Sequence, residues 1–220
     1  VLYAARTMAP LGVPVFPINL GTLGFIAEVD PRNWREEFDR WAAGTGNFSR
    51  RFMLEVRLER RGGEAFREFC LNDVVISASG IAKIIRLEVN SAYMKLGRYR
   101  SDGLIAATPT GSTAYSMAAG GPILDPELEA LIINPICPFT LSHRPMVLPG
   151  REPVVIGVEE EQRSGVLLTV DGQVTETLEE GDLIRLGKAP FSVHLIASER
   201  AGFYRALRTK LSWSGGPGHA

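Results

Sequence analysis

The stretch SDGLIAATPTGSTAYSMAAGGPIL, residues 101–124, joins an Asp-Gly turn, an apolar run, a hydroxyl-rich turn and a block of small residues. Residues 104–107 predict a buried strand. Residues 108–113 predict a loop, because proline fixes φ and glycine permits conformations that other residues avoid. A helix of small residues then begins with Ser112 or Thr113 as its cap and ends at a Gly-Gly-Pro run. The stretch therefore predicts a strand, a polar turn and a helix in immediate succession.

The hydroxyl groups of this turn would surround the free backbone N–H groups at the start of the predicted helix. Such a polar cup suits a ribose, an amide or a phosphate. An ordinary capped helix after a strand has the same sequence pattern. The stretch alone leaves both interpretations open.

The composition favours a globular protein of one large domain or two small ones. The chain has 220 residues, 45% of them apolar, and a formal net charge of −1. This balance gives no electrostatic reason to expect nucleic acid or an anionic membrane as a partner. No apolar run approaches the roughly 20 residues of a membrane helix, and the first residues do not follow the plan of a signal peptide. We therefore expect a cytoplasmic protein.

The cysteines and histidines do not have the spacing of a metal or redox site. Cys70 and Cys137 stand alone in apolar surroundings, so both are expected to be buried free thiols. The three histidines, His143, His194 and His219, are scattered along the chain. The sequence therefore predicts no metal ligands.

The first 45 residues predict an α/β opening. Residues 1–8 predict a helix, 13–18 a short buried strand, and 19–25 a tight turn that either is a plain connection or lines a ligand crevice. A second helix is predicted from Pro31 to about residue 44. Its aromatic residues recur at helical spacing and are expected to be core; they are Trp34, Phe38 and Trp41.

The rest of the chain is dominated by short strand patterns separated by Gly- and Pro-rich turns. They predict a sandwich or a barrel-like pair of sheets through residues 48–198, followed by a helix over 203–211. The strand predictions are 48–59, 65–70, 73–78, 83–90, 93–98, 104–107, 131–136, 154–158, 166–170, 183–186 and 192–196.

Polar residues at strand ends are the candidates for chemistry, since GxSxG, HExxH and Walker A motifs are absent from the sequence. Asn72 and Asp73 precede one apolar strand, and Asp102 precedes another. Asp171 and Gln173 follow a third. Their side chains could accept hydrogen bonds from ribose hydroxyls or an amide. Each Asp-Gly pair is equally a common turn signal.

Several segments together resemble NAD kinases, which phosphorylate the adenosine 2′-hydroxyl of NAD to make NADP. The segments follow the order of that family over almost the whole chain. They are 18–25, 71–76, Asp102-Gly103, the string TPTGSTAYS at 108–116, 135–145, and Asp171-Gly172-Gln173.

The resemblance implies a fold, ligands and site residues. It implies a two-domain α+β protein, with the remainder of an N-terminal Rossmann-like α/β domain at 1–45 and a β-sandwich domain at 46–198 that binds NAD. The helix at 199–213 would return to the first domain, and 214–220 would be a disordered tail. ATP or polyphosphate would be the donor, with Mg²⁺, in a homodimer or homotetramer.

The resemblance assigns roles within the NAD site. Asn72 and Asp73 would hold the hydroxyls of the accepting ribose, and Asp102 would accept from the carboxamide. The remaining residues would surround the adenine and nicotinamide ends or close the crevice; they are Thr110, Thr113, Ala114, Tyr115, Asp171 and Gln173.

The chain departs from the family pattern in three places. The catalytic Gly-Gly-Asp-Gly loop would precede Val1, so no residue of this sequence is assigned as catalytic. Asp73 stands where the family usually has Glu, and Phe139 where a His is common. The alternatives are a catalytically incomplete dinucleotide-binding module and a lipid kinase of the same superfold.

Overall fold

The computed structural model describes residues 1–21, 25–80, 83–140 and 142–211. Part of the predicted turn at 19–25, the end of the predicted C-terminal helix at 212–213 and the predicted tail at 214–220 lie outside the described residues. None of the helices within the described ranges is long and apolar enough to cross a membrane.

The described residues form four α-helices, two short 3₁₀ helices and fourteen strands. The α-helices are α1 (Leu2–Met8), α2 (Trp34–Ala42), α3 (Tyr115–Ala118) and α4 (Arg200–Lys210), and the 3₁₀ helices are Ala9–Leu11 and Thr110–Thr113. The strands are β1 (Phe48–Arg51), β2 (Leu54–Arg60), β3 (Gly63–Cys70), β4 (Asp73–Ala78), β5 (Ile85–Ser91), β6 (Lys95–Ser101), β7 (Gly103–Ala107), β8 (Ala130–Ile136), β9 (Met146–Pro149), β10 (Val154–Val158), β11 (Val166–Val170), β12 (Val174–Leu178), β13 (Leu183–Lys188) and β14 (Val193–Ile196).

Two six-stranded antiparallel sheets form a sandwich. Sheet I has the strand order β3-β2-β13-β10-β5-β6, and sheet II has the order β12-β11-β4-β7-β8-β9. Strand β1 pairs separately with β14. The predicted sandwich is confirmed, with its main core between the two sheets.

Alternating apolar residues of sheet I build that core. Leu54, Val56 and Leu58 of β2 are at most 1% exposed, whereas the residues between them are half-buried. This period of two is what a strand with one buried face requires. Because these strands bury only one face, their apolar and polar residues alternate, and this alternation predicts the strands from the sequence.

Sheet II is buried on both faces near its centre. Every residue of β7 is buried. Val75, Ile105 and Ile132 point away from the sandwich core and form a second cluster against Ala119 and Leu124. The turn and helix at 108–124 therefore cover the outer face of this sheet, which places them beside the end of β4.

The C-terminal helix packs on the N-terminal segment. Phe203 and Leu207 of α4 form a small core with Phe25, whose ring centroid lies 6.2 Å from that of Phe203. Ala5 and Val15 join residues of the β body in a further core cluster. The last helix therefore packs against the N-terminal segment, while the division into two domains, and the assignment of this helix to the first of them, stay predictions.

The predicted strand at 13–18 is wrong. Only two isolated parallel bridges form there, from Val15 to Leu195 and from Ile18 to Val29. Proline occupies positions 14 and 17 and lacks the N–H that a strand ladder needs. The segment is therefore extended without becoming a strand.

The aromatic stripe of α2 is not core. Trp34 and Phe38 are each 39% exposed, and no residue of α2 is buried. Phe38 contacts Phe16 and Trp41, with ring centroids 5.9 and 5.6 Å apart. Helical spacing predicted the apolar face correctly, but the described residues cover that face only in part.

Three further predictions need correction. The run at 48–59 is two strands, β1 and β2, that join different partners. Strands β9 and β12 were missed, because both are sheet edges: β9 ends in a proline, and β12 is mostly polar. Cys70 is buried as expected, but Cys137 is exposed, with a left-handed φ of 44°.

Candidate functional site

A cleft of about 400 Å³ opens where the N-terminal segment, the turn at 110–117 and α4 meet. Phe25, Ile26 and Met117 form apolar parts of its wall. Its polar lining includes Asn72, which directly precedes β4, Thr110 and Thr113 of the turn, and Lys210 of α4. Such a mixture of apolar wall and few polar groups is typical of small-molecule sites.

Asp171 holds the backbone that leads into β4. Its carboxylate accepts hydrogen bonds from the N–H groups of Leu71, Asn72 and Asp73, at 3.0, 2.7 and 3.3 Å. The Asp171 side chain reaches them from the tight turn after β11, where its own φ is 51°. A carboxylate that accepts three backbone bonds fixes this corner firmly. Asp171 therefore positions Asn72 and Asp73 and does not itself line the cleft.

Gly111 lies directly against Asn72. The Thr108 N–H donates to the Asn72 carbonyl at 2.8 Å, and the Gly111 N–H donates to the Thr108 hydroxyl at 3.1 Å. A Cβ on Gly111 would lie 2.0 Å from the Asn72 carbonyl oxygen. Only glycine fits this close approach of two backbones.

Most hydroxyls of the predicted cup serve the fold. Thr108 donates to the Leu71 carbonyl, and Ser112 donates to the Pro109 carbonyl while accepting from the Leu124 N–H. Ser116 is fully buried beside Asn134, which donates to its carbonyl. The hydroxyls therefore join the turn to its surroundings instead of forming one open cup.

The predicted helix cap is also wrong. Neither Ser112 nor Thr113 caps a helix; Thr110–Thr113 is a 3₁₀ helix, and α3 follows with Ala114 at its N-cap position and no side-chain cap bond. The Ser112 hydroxyl is occupied by the contacts to Pro109 and Leu124, which removes it as a cap. Thr110 and Thr113 are the turn hydroxyls that line the cleft.

Two polar atoms at the cleft have no hydrogen-bond partner among the residues that the structure describes. The Asn72 side-chain oxygen and the Thr110 hydroxyl are both buried and unpaired. Leaving such a group unsatisfied costs about 1–3 kcal/mol. Because both residues line the same cleft, a ligand with hydroxyl or amide groups would supply the missing partners.

The pKa of the Asp73 carboxyl group is unusually high for an aspartate. Burial and the nearby Asp171 raise the pKa of Asp73 to about 7, although the Tyr115 N–H donates to its carboxylate. Burial also raises the pKa of Asp171, against the opposing effect of its three N–H donors. Two carboxyl groups so close share their titration. Near neutral pH, Asp73 can therefore hold or release a proton.

We predict that this shift makes the protein less stable as the pH rises from about 4 to 7. The unfolded chain releases the Asp73 proton near its ordinary pKa, whereas the folded protein keeps it until about pH 7. The free energy of unfolding should fall by up to about 1.4 kcal/mol per pH unit from this group. Urea unfolding of wild type and Asp73→Asn across this range measures the effect. The variant should show the shallower profile, and parallel profiles would contradict the assigned shift.

The other predicted site residues differ in their distance from the cleft. Thr110, Thr113 and Ala114 line the cleft with Asn72. Tyr115 is 47% exposed beside them and meets Asp73 through its backbone.

Asp102 and Gln173 are outside the cleft. Asp102 is exposed at the end of β7 that pairs with Ser77, whereas Asp73 pairs with Ala107 at the other end. Gln173 is exposed and accepts a 2.7 Å hydrogen bond from Arg6. Asp102 therefore does not meet Asn72 within one chain.

Sequence reasoning missed several lining residues. Phe25 is the last residue of the turn at 19–25 that was predicted as either a plain connection or a crevice lining, and Ile26 follows it. Met117 was grouped only as part of a small-residue helix. Lys210, which lies over the Phe25 ring at 5.6 Å, comes from the predicted last helix. The predicted return of this helix to the N-terminal segment was the signal that could have identified Lys210 as a lining residue.

The carboxylates here do not fit a Mg²⁺ site built by the described residues. Both Asp171 oxygens accept N–H donors, and Asp73 has its pKa near neutrality. In the described parts of the chain, no group of three His, Cys, Asp or Glu side chains could hold a metal ion. Mg²⁺ prefers one or two free carboxylates together with ligand phosphates.

Fold and site together define a class: an antiparallel β-sandwich protein with a cleft of small-molecule size beside the start of β4. Residues 71–198 match the family model of the ATP-NAD kinase C-terminal domain. The NAD kinase of Treponema denticola is 43% identical over 98% of this chain and 76% of its own length, and that of Koribacter versatilis is 42% identical over 96% and 74%. The chain belongs to the NAD kinase family, a family of phosphotransferases.

Two solved structures share this fold. Yeast NADH kinase complexed with NADH has a TM-score of 0.90 and 28% identity, covering 100% of this chain and 64% of its own. An NAD kinase from Archaeoglobus fulgidus in complex with ATP has a TM-score of 0.73 and 26% identity, covering 90% and 74%. The chain thus spans less than two thirds of the yeast enzyme and about three quarters of the bacterial relatives.

Proposed function

We propose that the full-length protein transfers a phosphoryl group from ATP to the adenosine 2′-hydroxyl of NAD and so makes NADP. Family membership supports this activity, as do the NADH and ATP bound by the two structural relatives. Polyphosphate as an alternative donor and a cytoplasmic location stay predictions from the sequence.

The observation that carries the proposal is the pair of buried, unpaired polar atoms on Asn72 and Thr110 beside an apolar wall. An adenosine has the matching composition, with a flat apolar base and a ribose that donates and accepts hydrogen bonds. In this arrangement the base contacts Phe25 and Met117. The ribose hydroxyls bond the Asn72 amide and the Asp73 carboxyl group.

The chemistry then requires mainly positioning. The 2′-hydroxyl gives its proton to the carboxylate of the Gly-Gly-Asp-Gly loop that the sequence resemblance implies, and its oxygen forms a bond to the γ-phosphorus. The bond from that phosphorus to the β–γ bridging oxygen breaks, and ADP leaves. Hydrogen bonds from Asn72 and Asp73 hold the 2′-hydroxyl and distinguish it from the 3′-hydroxyl. Mg²⁺ would arrive on the ATP phosphates and offset their charge. Thr113, Ala114 and Tyr115 border the bound dinucleotide.

Asp102 has a place in this scheme only in an oligomer. Within one chain it lies at the opposite end of the β4–β7 pair from Asn72. The homodimer or homotetramer implied by the sequence resemblance would be needed to bring Asp102 of one copy to the cleft of another. Gln173, held by Arg6, would support the Asp171 turn.

The test is NADP formation by the full-length protein from NAD and ATP, with the phosphate position determined by phosphorus NMR. Wild type should give the 2′-phosphate. Asn72→Ala should lower kcat/KM at least 100-fold, because the hydroxyl loses its orienting partner. Asn90→Ala, on β5 of sheet I, is the matched control and should act like wild type. Unchanged turnover in Asn72→Ala together with Tyr115→Ala would overturn the site.

A further inference from the structure

Asn134 is a buried asparagine on an apolar face of the sandwich. It lies in β8 opposite Ile105 of β7 and is 0% exposed. Alternate residues of a strand share a face, so Asn134 lies on the same side of sheet II as Ile132 of the outer apolar cluster. An apolar side chain would pack there without needing hydrogen-bond partners. Packing alone therefore does not explain an amide group at this position.

The Asn134 amide group contacts one short stretch of backbone. Its Nδ2 donates to the Ser116 carbonyl at 2.9 Å and lies 3.3 Å from the Ser116 hydroxyl, with the Ala119 carbonyl at 3.5 Å. Among the described residues, its Oδ1 has no hydrogen-bond partner. A buried acceptor without a partner lowers the stability of the fold. The hydrogen bonds of this amide thus come from its nitrogen and end on residues 116–119.

The backbone that Asn134 holds is part of the cleft wall. Helix α3 is a single turn without a side-chain cap, so its position depends on the contacts around it. The Tyr115 N–H donates to the Asp73 carboxylate, and Ala114 lines the cleft. One residue further on, Asn134 holds Ser116 from β8. Hydrogen bonds to two adjacent residues therefore fix α3 between the start of β4 and the middle of β8.

The contact between Asn134 and Ser116 is closely packed. A Cβ on Gly121 would lie 2.3 Å from the Ser116 hydroxyl and 2.7 Å from the Asn134 Nδ2, so only glycine leaves room for this approach. The Gly121 N–H also donates to the Ser116 carbonyl, at 2.8 Å. Removal of the amide therefore leaves this carbonyl with a backbone donor, and an apolar residue at position 134 should be compatible with the fold.

We propose that Asn134 is a positioning residue for the accepting hydroxyl group of NAD. Through Ser116 it holds Tyr115, whose N–H fixes the Asp73 carboxyl group against that hydroxyl. Asn134 itself is not among the described residues that line the cleft. The inference rests on the proposed function, because it gives Asn134 a part in orienting the ligand of that same site. Loss of the amide should slow the transfer more than it weakens NAD binding, since the cleft wall remains while the hydroxyl is misaligned.

The first test is steady-state kinetics of the full-length Asn134→Leu variant. Leucine has a similar size and suits the apolar cluster, so the variant should keep about the stability of wild type. Its kcat should fall about tenfold, while its KM for NAD should stay within about threefold. Asn134→Ala, which cannot overpack the cluster, should reproduce the loss of kcat.

Ile133→Ala is the matched control for both variants. It truncates the adjacent residue of β8, which is fully buried and belongs to the core between the two sheets. The cavity should lower the stability of this variant more than Asn134→Leu does, but its kcat should equal that of wild type. A purely structural role for Asn134 would instead make loss of kcat follow loss of stability across the three variants.

The second test does not need turnover. Hydrogen exchange followed by NMR should show the Tyr115 N–H of both Asn134 variants exchanging about tenfold faster than in wild type, relative to the N–H groups of β7. Unchanged exchange at Tyr115 would overturn the positioning role whatever the turnover. If wild type makes no NADP, the proposed function fails and the positioning role fails with it. If wild type is active and both variants match its kcat, only the positioning role fails.

Discussion

Gly111→Ala is expected to lower kcat/KM for NADP formation at least 100-fold. The added Cβ would lie 2.0 Å from the Asn72 carbonyl oxygen and 2.5 Å from its carbon. Both contacts are to backbone, so the loop or the start of β4 must move by about 1 Å. A displacement of that size at a positioning residue costs about 100-fold in rate. Steady-state kinetics of the full-length variant measure it.

Gly187→Ala provides the control for this substitution. Gly187 lies in β13, and a Cβ there would meet no atom within 4 Å. The kcat/KM of the Gly187→Ala variant should stay within twofold of wild type. If Gly111→Ala retained wild-type kinetics, the close contact between the Thr-rich turn and Asn72 would have no role in the site.

Asp171→Asn is expected to damage both stability and activity. Three backbone N–H groups lose an ionised acceptor, and the new amide places an N–H₂ group against at least one of them. The free energy of unfolding should fall by about 3 kcal/mol. Asn72 and Asp73 lose their fixed position, so kcat/KM should fall at least 100-fold under conditions where the variant is folded.

A second buried aspartate separates these two effects. Asp182 is 2% exposed, accepts from the Glu179 N–H at 2.8 Å and binds Arg60, but it lies on the turn before β13. Asp182→Asn should lose comparable stability and keep its activity. Equal losses of activity in the two variants would reduce the role of Asp171 to general stability.

The sequence was sufficient for the strands that carry apolar alternation or a buried apolar run. Residues 104–107 and 166–170 were predicted with almost the observed bounds, because their side chains alone determine burial. Edge strands such as β12 were missed, since its three central residues are polar and exposed and leave no apolar period. The exposure of α2 could not be predicted either, because helical spacing identifies the apolar face of a helix but not the residues that pack against that face.

The site was predicted in composition but not in arrangement. Asp102-Gly103 and Asp171-Gly172 have the same local pattern, yet one lies at the far end of the strands and the other holds the backbone of Asn72. The register of β4 on β7 decides this difference, and register depends on contacts distant in sequence. For the same reason, nothing local showed that the Ser112 hydroxyl turns inward while Thr110 lines the cleft.

The most direct measurement of the central claim is the dissociation constant of NAD for Thr110→Val in the full-length protein. Valine keeps the shape of threonine and removes only the unpaired hydroxyl, so the stability of the free protein should stay equal or rise. Bound NAD loses a hydrogen bond, and its dissociation constant should rise about three- to tenfold. An unchanged dissociation constant would contradict the claim that the cleft beside Asn72 and Thr110 holds the dinucleotide.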